Sequence, residues 1–254
     1  MINILSQLSV ETRSKLRNFG RMLGFEIRLN SVRSRDDVRL LHFLKMHDIK
    51  LILDVGANKG QFANSLFELG YGYKIASFEP LPEAHTALID AANRFKDRWI
   101  VGPRVALSDK AGTANFHVTL ANTASSLYSP SDELIAATPE TRPTHTVIIP
   151  TARLDSVVSE LGLMQPGLFL KLDVQGAESL VLSGAPMVLA AAKGLITELS
   201  LTPLYDGQPP ARDVLEIIYA AGFEVWDVWQ GYRNPKTHRL NQIDLVCFKP
   251  SDHQ

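Results

Sequence analysis

Four carboxylates stand at or near the ends of apolar runs in this chain: Asp54, Glu79, Asp173 and Glu198. A charge in such a setting is costly unless it binds something, so each is a candidate for ligand or proton handling. Asp54 sits inside Leu51–Val55, ahead of Gly56 and Gly60, where its charge attracts a cationic amino group and repels phosphate. Glu79 follows the run Tyr73–Phe78, 25 positions after Asp54, and is placed to accept from both hydroxyls of a ribose. Pro80 then fixes the exit of the chain. Asp173 closes Leu168–Leu172 and Glu198 lies near the end of Gly194–Leu199. Together they make an acid pair able to hold a divalent metal or to polarise a hydroxyl.

These acids need elements to carry them. Leu51–Val55 reads as a parallel strand buried on both faces, Gly56–Gly60 as a tight turn, and the spacing Phe62, Leu66, Leu69 as a helix. A strand, a glycine loop and a helix start form the ligand corner of an α/β sheet. The spacing is Gly-x-x-x-Gly, so neither the dinucleotide fingerprint nor the phosphate loop is met. A nucleoside carrying an amino acid and no phosphate fits better. Leu81–Phe95 reads as the next helix, Trp99–Leu107 as a third strand ending at Ser108 and Asp109, and either of these residues can accept from an adenine amine. Thr113–Val118 and Thr144–Pro150 read as additional strands, and the polar stretch Thr119–Pro143 between them as a lid or binding loop. Gly176–Leu182 is the helix after Asp173, and Glu178 in its first turn suits the helix dipole. Val214–Ala221, Phe223–Val228 and Ile243–Phe248 complete the pattern as helix, strand and strand, with Trp229–Arg239 as the connection.

The segments Asp54–Phe62 (D-V-G-A-N-x-G-x-F), Phe78–Pro80 (F-E-P) and Leu170–Glu178 (L-K-L-D-V-x-G-A-E), in that order, resemble the FkbM family of class I S-adenosylmethionine-dependent O-methyltransferases. The resemblance extends over roughly Ile49 to Phe248. It implies a Rossmann-like three-layer sandwich, a seven-stranded mostly parallel sheet with an antiparallel last strand, and methyl transfer to a hydroxyl. The cofactor contacts it implies are Asp54, Gly56, Asn58, Gly60, Phe62, Glu79, Pro80, Ser108, Asp109 and Asp173. Substrate contacts fall at Ser125 and Ser126, from a Ser-Ser-Leu segment similar to the family's, and at Tyr205 in Pro203–Gln208. Asp173 is the first choice for deprotonating the acceptor and Glu198 the second, with His117 and His145 as outsiders near the lid. The chain departs from the family at Gln175, where a glutamate is usual.

Composition agrees. A chain of 254 residues, 45% hydrophobic and 21% charged, can bury a full core. Basic and acidic side chains number 26 and 27, so no strongly electrostatic nucleic-acid partner is indicated. The single Cys247 excludes an internal disulfide and reads as a core residue. Residues 1–48 form a helical extension and 49–250 the catalytic domain. Within Met1–Lys50 ten Lys and Arg stand against five Asp and Glu. Leu5, Leu8, Leu16, Phe19 and Leu23 recur at helical spacing with Arg13, Lys15, Arg17 and Arg21 between them, a helix expected first to cap the sheet or the substrate pocket and able also to lie on an anionic membrane surface. The expected location is cytoplasmic, peripheral to the inner membrane face, with a glycan or small-molecule hydroxyl as partner. Ser34, three residues before Asp37, reads as the cap of a second helix running through Met46.

Overall fold

The computed structural model describes residues 9–22 and 32–250. Helices α1 (Val10–Met22) and α2 (Asp36–Met46) precede strand β1 (Leu51–Val55), helix α3 (Gln61–Glu68), strand β2 (Lys74–Phe78), helix α4 (Pro82–Ala92) and strand β3 (Trp99–Val101). After strands β4 (Ala106–Ser108), β5 (Gly112–Thr119), helix α5 (Asp132–Ala137) and strand β6 (Pro143–Arg153) come helix α6 (Leu154–Glu160), β7 (Leu168–Leu172), α7 (Glu178–Ser183) and α8 (Pro186–Ala191). The chain closes with β8 (Ala192–Ser200), α9 (Ala211–Ala220), β9 (Glu224–Gln230) and β10 (Gln242–Phe248).

Seven strands form one sheet in the order β3-β2-β1-β7-β8-β10-β9, parallel except for β10, which runs antiparallel to both its neighbours. This is the Rossmann-like arrangement of class I methyltransferases. Every residue of β1 and β7 is buried, as two-sided coverage of a central parallel strand requires. One face packs against α6, α7, α8 and α9 through residues such as Leu53, Leu170, Val181 and Ile218, the other against α2, α3 and α4 through Ile52, Phe169, Leu66 and Leu44. Leu40, Leu41 and Leu44 put α2 inside that second core, so it is an integral layer of the fold. Cys247 is fully buried, and burial pushes its thiol up to about 12.

Three local expectations change. The run Trp99–Leu107 is two strands in different sheets, because Gly102 must sit against the Phe78 ring, where a Cβ would lie 2.3 Å away, and the chain turns there. β4 pairs instead with β6 in a three-stranded sheet, β4-β6-β5. The stretch Thr119–Pro143 is no open loop, since it contains α5 and two short 3-10 turns at Asn122–Ala124 and Pro139–Thr141. Helix α2 starts at Asp36 with Arg35 as its N-cap, and no side chain caps it there; Arg35 pairs with Asp37. Of the amphipathic N-terminal pattern, α1 is a helix with Phe19 and Met22 exposed, while Leu5, Leu8 and Leu23 lie outside the described residues. No described helix is long and apolar enough to cross a membrane.

Candidate active site

A polar chain crosses the C-terminal edge of the large sheet and begins with three residues in one row. Ser77, Asp54 and Lys171 are register partners on β2, β1 and β7. Side chains at equivalent positions of neighbouring strands share a face, so these three meet. Trp99 Nε1 donates to Ser77 Oγ at 2.9 Å, and Ser77 Oγ donates to Asp54 Oδ2 at 2.9 Å. Lys171 Nζ lies 2.9 Å from Asp54 Oδ1 and donates to the Gly56 carbonyl at 2.9 Å. Asp54 is wholly buried and Lys171 nearly so. Burial works against the Lys171 charge, yet Asp54 and Asp173 hold its pKa above the ordinary value. Asp54 therefore points into the protein and lines neither of the two cavities described below. Its charge serves the lysine.

The next link is Asp173, whose Oδ2 lies 3.6 Å from Lys171 Nζ. Its Oδ1 accepts from Gln175 Nε2 at 2.7 Å, and the same amide nitrogen donates to Glu198 Oε2 at 2.8 Å. Gln242 Nε2 donates to that Glu198 oxygen at 3.0 Å. The Tyr205 hydroxyl donates to Gln175 Oε1 at 2.8 Å, which fixes the amide orientation, nitrogen toward the acids. Gln175 is the residue that reading the sequence undervalued. There it appears only as a missing acid, whereas its two N–H donors bridge the acid pair. The signal was its place two residues past Asp173, at a backbone φ of 55° that turns its side chain back over the strand end.

Two cavities meet at this network. The first, about 220 Å³, is walled by Gly56–Asn58, Phe62, Glu79–Leu81, Val105–Leu107, Phe116, Ser125, Leu127 and Asp173–Gln175. Both Glu79 oxygens are held, Oε2 by the Asn58 N–H and Oε1 by the Leu81 N–H, each at 2.9 Å. Burial raises the Glu79 pKa, and those N–H donors oppose the rise. Each oxygen keeps lone-pair capacity for a diol. Apolar walls at Leu81, Val105, Leu107 and Phe116 suit a flat base, and the polar end at Asn58, Gln61 and Asp173 suits an ammonium and a sulfonium. The residues present thus fit S-adenosylmethionine.

The two glycines make the tight turn expected of them, each at a positive φ. A Cβ on Gly56 would lie 1.9 Å from the Asp173 carbonyl oxygen, so this glycine lets the β1 and β7 loops touch. A Cβ on Gly60 would lie 2.6 Å from the Trp99 ring, and its φ of 85° makes it the left-handed start of α3.

Other expected site residues fall elsewhere. Ser108 and Asp109 bond to each other at 3.0 Å beyond the first cavity, which meets β4 at Ala106 and Leu107. Ser126 Oγ donates to the Val174 carbonyl at 3.3 Å and accepts from the Tyr128 N–H at 3.1 Å, bracing the lid rather than lining the cavity. Tyr205 is 2% exposed and reaches the site only through Gln175. His117 and His145 line neither cavity. Glu178 Oε1 accepts from the Val174 and Gly176 N–H groups, both at 3.2 Å, and holds the loop that carries Gln175. Burial pushes Glu178 up to about 7.

The expected divalent metal finds no support. Among the described residues no group of three or more His, Cys, Asp or Glu side chains is arranged to hold an ion. The space between Asp173 and Glu198 is filled by N–H donors, which repel a cation. Glu198 is instead pushed well above the ordinary carboxyl range, first by burial and then by Asp173, Glu178 and Asp244.

Comparison with known proteins agrees with this geometry. Residues 54–225 match the Methyltransferase FkbM domain. The 2-O-methyltransferase NoeI of Sinorhizobium fredii is 31% identical over 182 residues, covering 66% of this chain and 70% of that protein. Among solved structures, a SAM-dependent methyltransferase from Aquifex aeolicus overlaps at a TM-score of 0.42 and 14% identity, covering 96% of this chain and all of the other. A methyltransferase structure from Listeria monocytogenes overlaps at 0.45 and 10% identity, covering 83% and 97%. With the family domain matching residues 54–225, more than half of the chain, this chain belongs to the FkbM methyltransferases.

Proposed function

We propose that the protein transfers a methyl group from S-adenosylmethionine to a hydroxyl oxygen of a sugar in a glycolipid or polysaccharide. The observation that carries this reading is the position of Asp173, a partly exposed carboxylate in the wall common to both cavities. The cofactor supplies an already activated methyl: its carbon bonds to the acceptor oxygen, the C–S bond breaks with its electrons left on sulfur, and the hydroxyl proton departs. What remains for the protein is alignment and that proton. Glu79 holds the ribose, the polar end of the first cavity at Asn58 and Gln61 holds the amino-acid tail, and Asp173 receives the proton. Lys171 lies beside Asp173, and Gln175 fixes the direction of its carboxylate.

Oxygen as the acceptor atom is supported by the name of the relative, a 2-O-methyltransferase. The exposed Phe19 and Met22 of α1 support a peripheral membrane contact, which would bring a lipid-linked acceptor close. The test is incubation with methyl-labelled cofactor and glycan pools, with and without a chelator. Label should enter glycan in both conditions. Asp173→Asn should lower turnover by about 10²–10⁴-fold while calorimetry still detects cofactor binding. Absence of labelled product from every pool would sink the catalytic reading.

A further inference from the structure

A second cavity, about 330 Å³, lies between the α2–α3 layer and the sheet edge formed by the C-terminal parts of β7 and β8 and the N-terminal part of β10. It shares Phe62, Lys171 and Asp173 with the first cavity. Group transfer requires two ligands to meet at one point. Among the described residues Asp173 is the one carboxylate that lines both spaces. What marks the cavity is this shared wall, since acids alone line many solvated crevices. Its volume falls in the usual range for small-ligand sites.

We propose that this second cavity is the acceptor site, and that it admits a polyhydroxylated acceptor with no negative charge at the end that enters. The inference rests on the methyl-transfer reading and names where its acceptor binds. Ile196 and Trp229 offer apolar surface for the C–H face of a sugar ring. Trp229 is held rigid, with Nε1 donating to Asp227 at 2.6 Å and the Arg39 guanidinium 5.5 Å from its ring centre. Arg39 also pairs with Asp36 at 2.6 Å and with Asp227, which ties the start of α2 to β9 as a roof. Glu198 and Asp244 face one another across β8 and β10. Lys171, the single cation among the described lining residues, is already engaged by Asp54 and Asp173. A hydroxyl donor finds acceptors there. A phosphate or carboxylate finds like charge and no free cation. Acceptor contacts thereby move from Ser125, Ser126 and Tyr205 to the opposite side of Asp173.

The test uses the full chain with S-adenosylmethionine and a series of p-nitrophenyl glycosides: neutral hexosides, hexosaminides, hexuronides and phosphorylated hexosides. Neutral or amine-bearing members should show kcat/KM at least tenfold above their anionic counterparts, with the gap narrowing as salt rises. Equal or better use of the anionic members overturns the inference and leaves the methyltransferase reading standing. Ser65→Phe fills the cavity from α3 and should lower kcat/KM at least tenfold, while the Kd for S-adenosylhomocysteine stays within threefold. Unchanged transfer in Ser65→Phe overturns the inference. Trp229→Ala is the second variant, with acceptor KM raised at least tenfold at constant cofactor Kd; an unchanged KM overturns it equally. No transfer to any glycoside by a protein that binds cofactor would overturn the sugar reading and, with it, this site.

Discussion

Lys171 shows how one side chain serves both fold and chemistry. It neutralises an aspartate buried without water, and the same ammonium stands near the carboxylate proposed to take the acceptor's proton. Lys171→Met should therefore leave Asp54 as an uncompensated buried charge, at a cost of about 3–5 kcal/mol. Urea denaturation reads the loss, and adding Asp54→Asn should recover most of it. Recovery would show that Asp54 acts through the lysine, since a direct cofactor contact would not be regained. Glu178 provides a second case. Its single oxygen Oε1 takes both loop N–H groups, and a glutamine can do the same without a charge. Glu178→Gln should hold or raise stability at pH 8, whereas Glu178→Ala should lose about 1–3 kcal/mol by orphaning two N–H donors. Thermal melts of both variants separate these outcomes.

At the scale of elements, the site is made by the crossing of two loops, one after β1 and one after β7. Their contact is so close that only a glycine fits at position 56, and its φ of 73° adds to the demand. Gly56→Ala should push the loops apart, cost more than about 2 kcal/mol, and weaken binding of S-adenosylhomocysteine measured by calorimetry. Cofactor affinity at the wild-type level in this variant would show that the loop contact is dispensable. The order of elements was readable from the chain because apolar runs and helical spacing alternate cleanly. The break at Gly102 was less readable. Trp99–Val101 and Val105–Leu107 together look like one strand, but Gly102 and Pro103 between them are turn residues, and with Gly102 packed on Phe78 the two halves fall in different sheets. The Ser34 cap misled for a similar reason. Local pairing of Arg35 with Asp37 sets where α2 begins.

At the scale of the whole molecule, unlike many globular proteins, several carboxyls hold protons more tightly folded than unfolded. Burial raises Glu178 from 4.5 to about 7 and Asp244 from 3.8 to about 6. For an acid the sign is direct: the folded state binds the extra proton, so stability falls as pH rises through the window from about 4 to about 7. The melting temperature should decline across that window, and Asp244→Asn should flatten the decline by about 1–3 kcal/mol above pH 7. A melting temperature independent of pH between 4 and 7 in the wild type would contradict this. Depressed carboxyls such as Asp37 and Asp227 work in the opposite direction, but they lie nearer the surface, where pairing is worth less.

The sequence by itself determined the alternation of strands and helices and the acids that end the strands, because burial periodicity and turn residues are local properties of a chain, while the seven-stranded sheet was implied by the resemblance of three ordered motifs to a family. It also placed Glu79 and Asp173 in one corner, since parallel strands bring their C-terminal ends together whatever their details. Only the tertiary structure decided which acids face ligand and which face protein. Asp54 and Asp173 look alike in sequence, each closing or interrupting an apolar run. Register puts Lys171 beside Asp54 and seals it in the core, while Asp173, two residues further along its strand, clears the edge and meets Gln175 and both cavities. That distinction is a contact between strands over a hundred residues apart, and no local pattern in either segment encodes it.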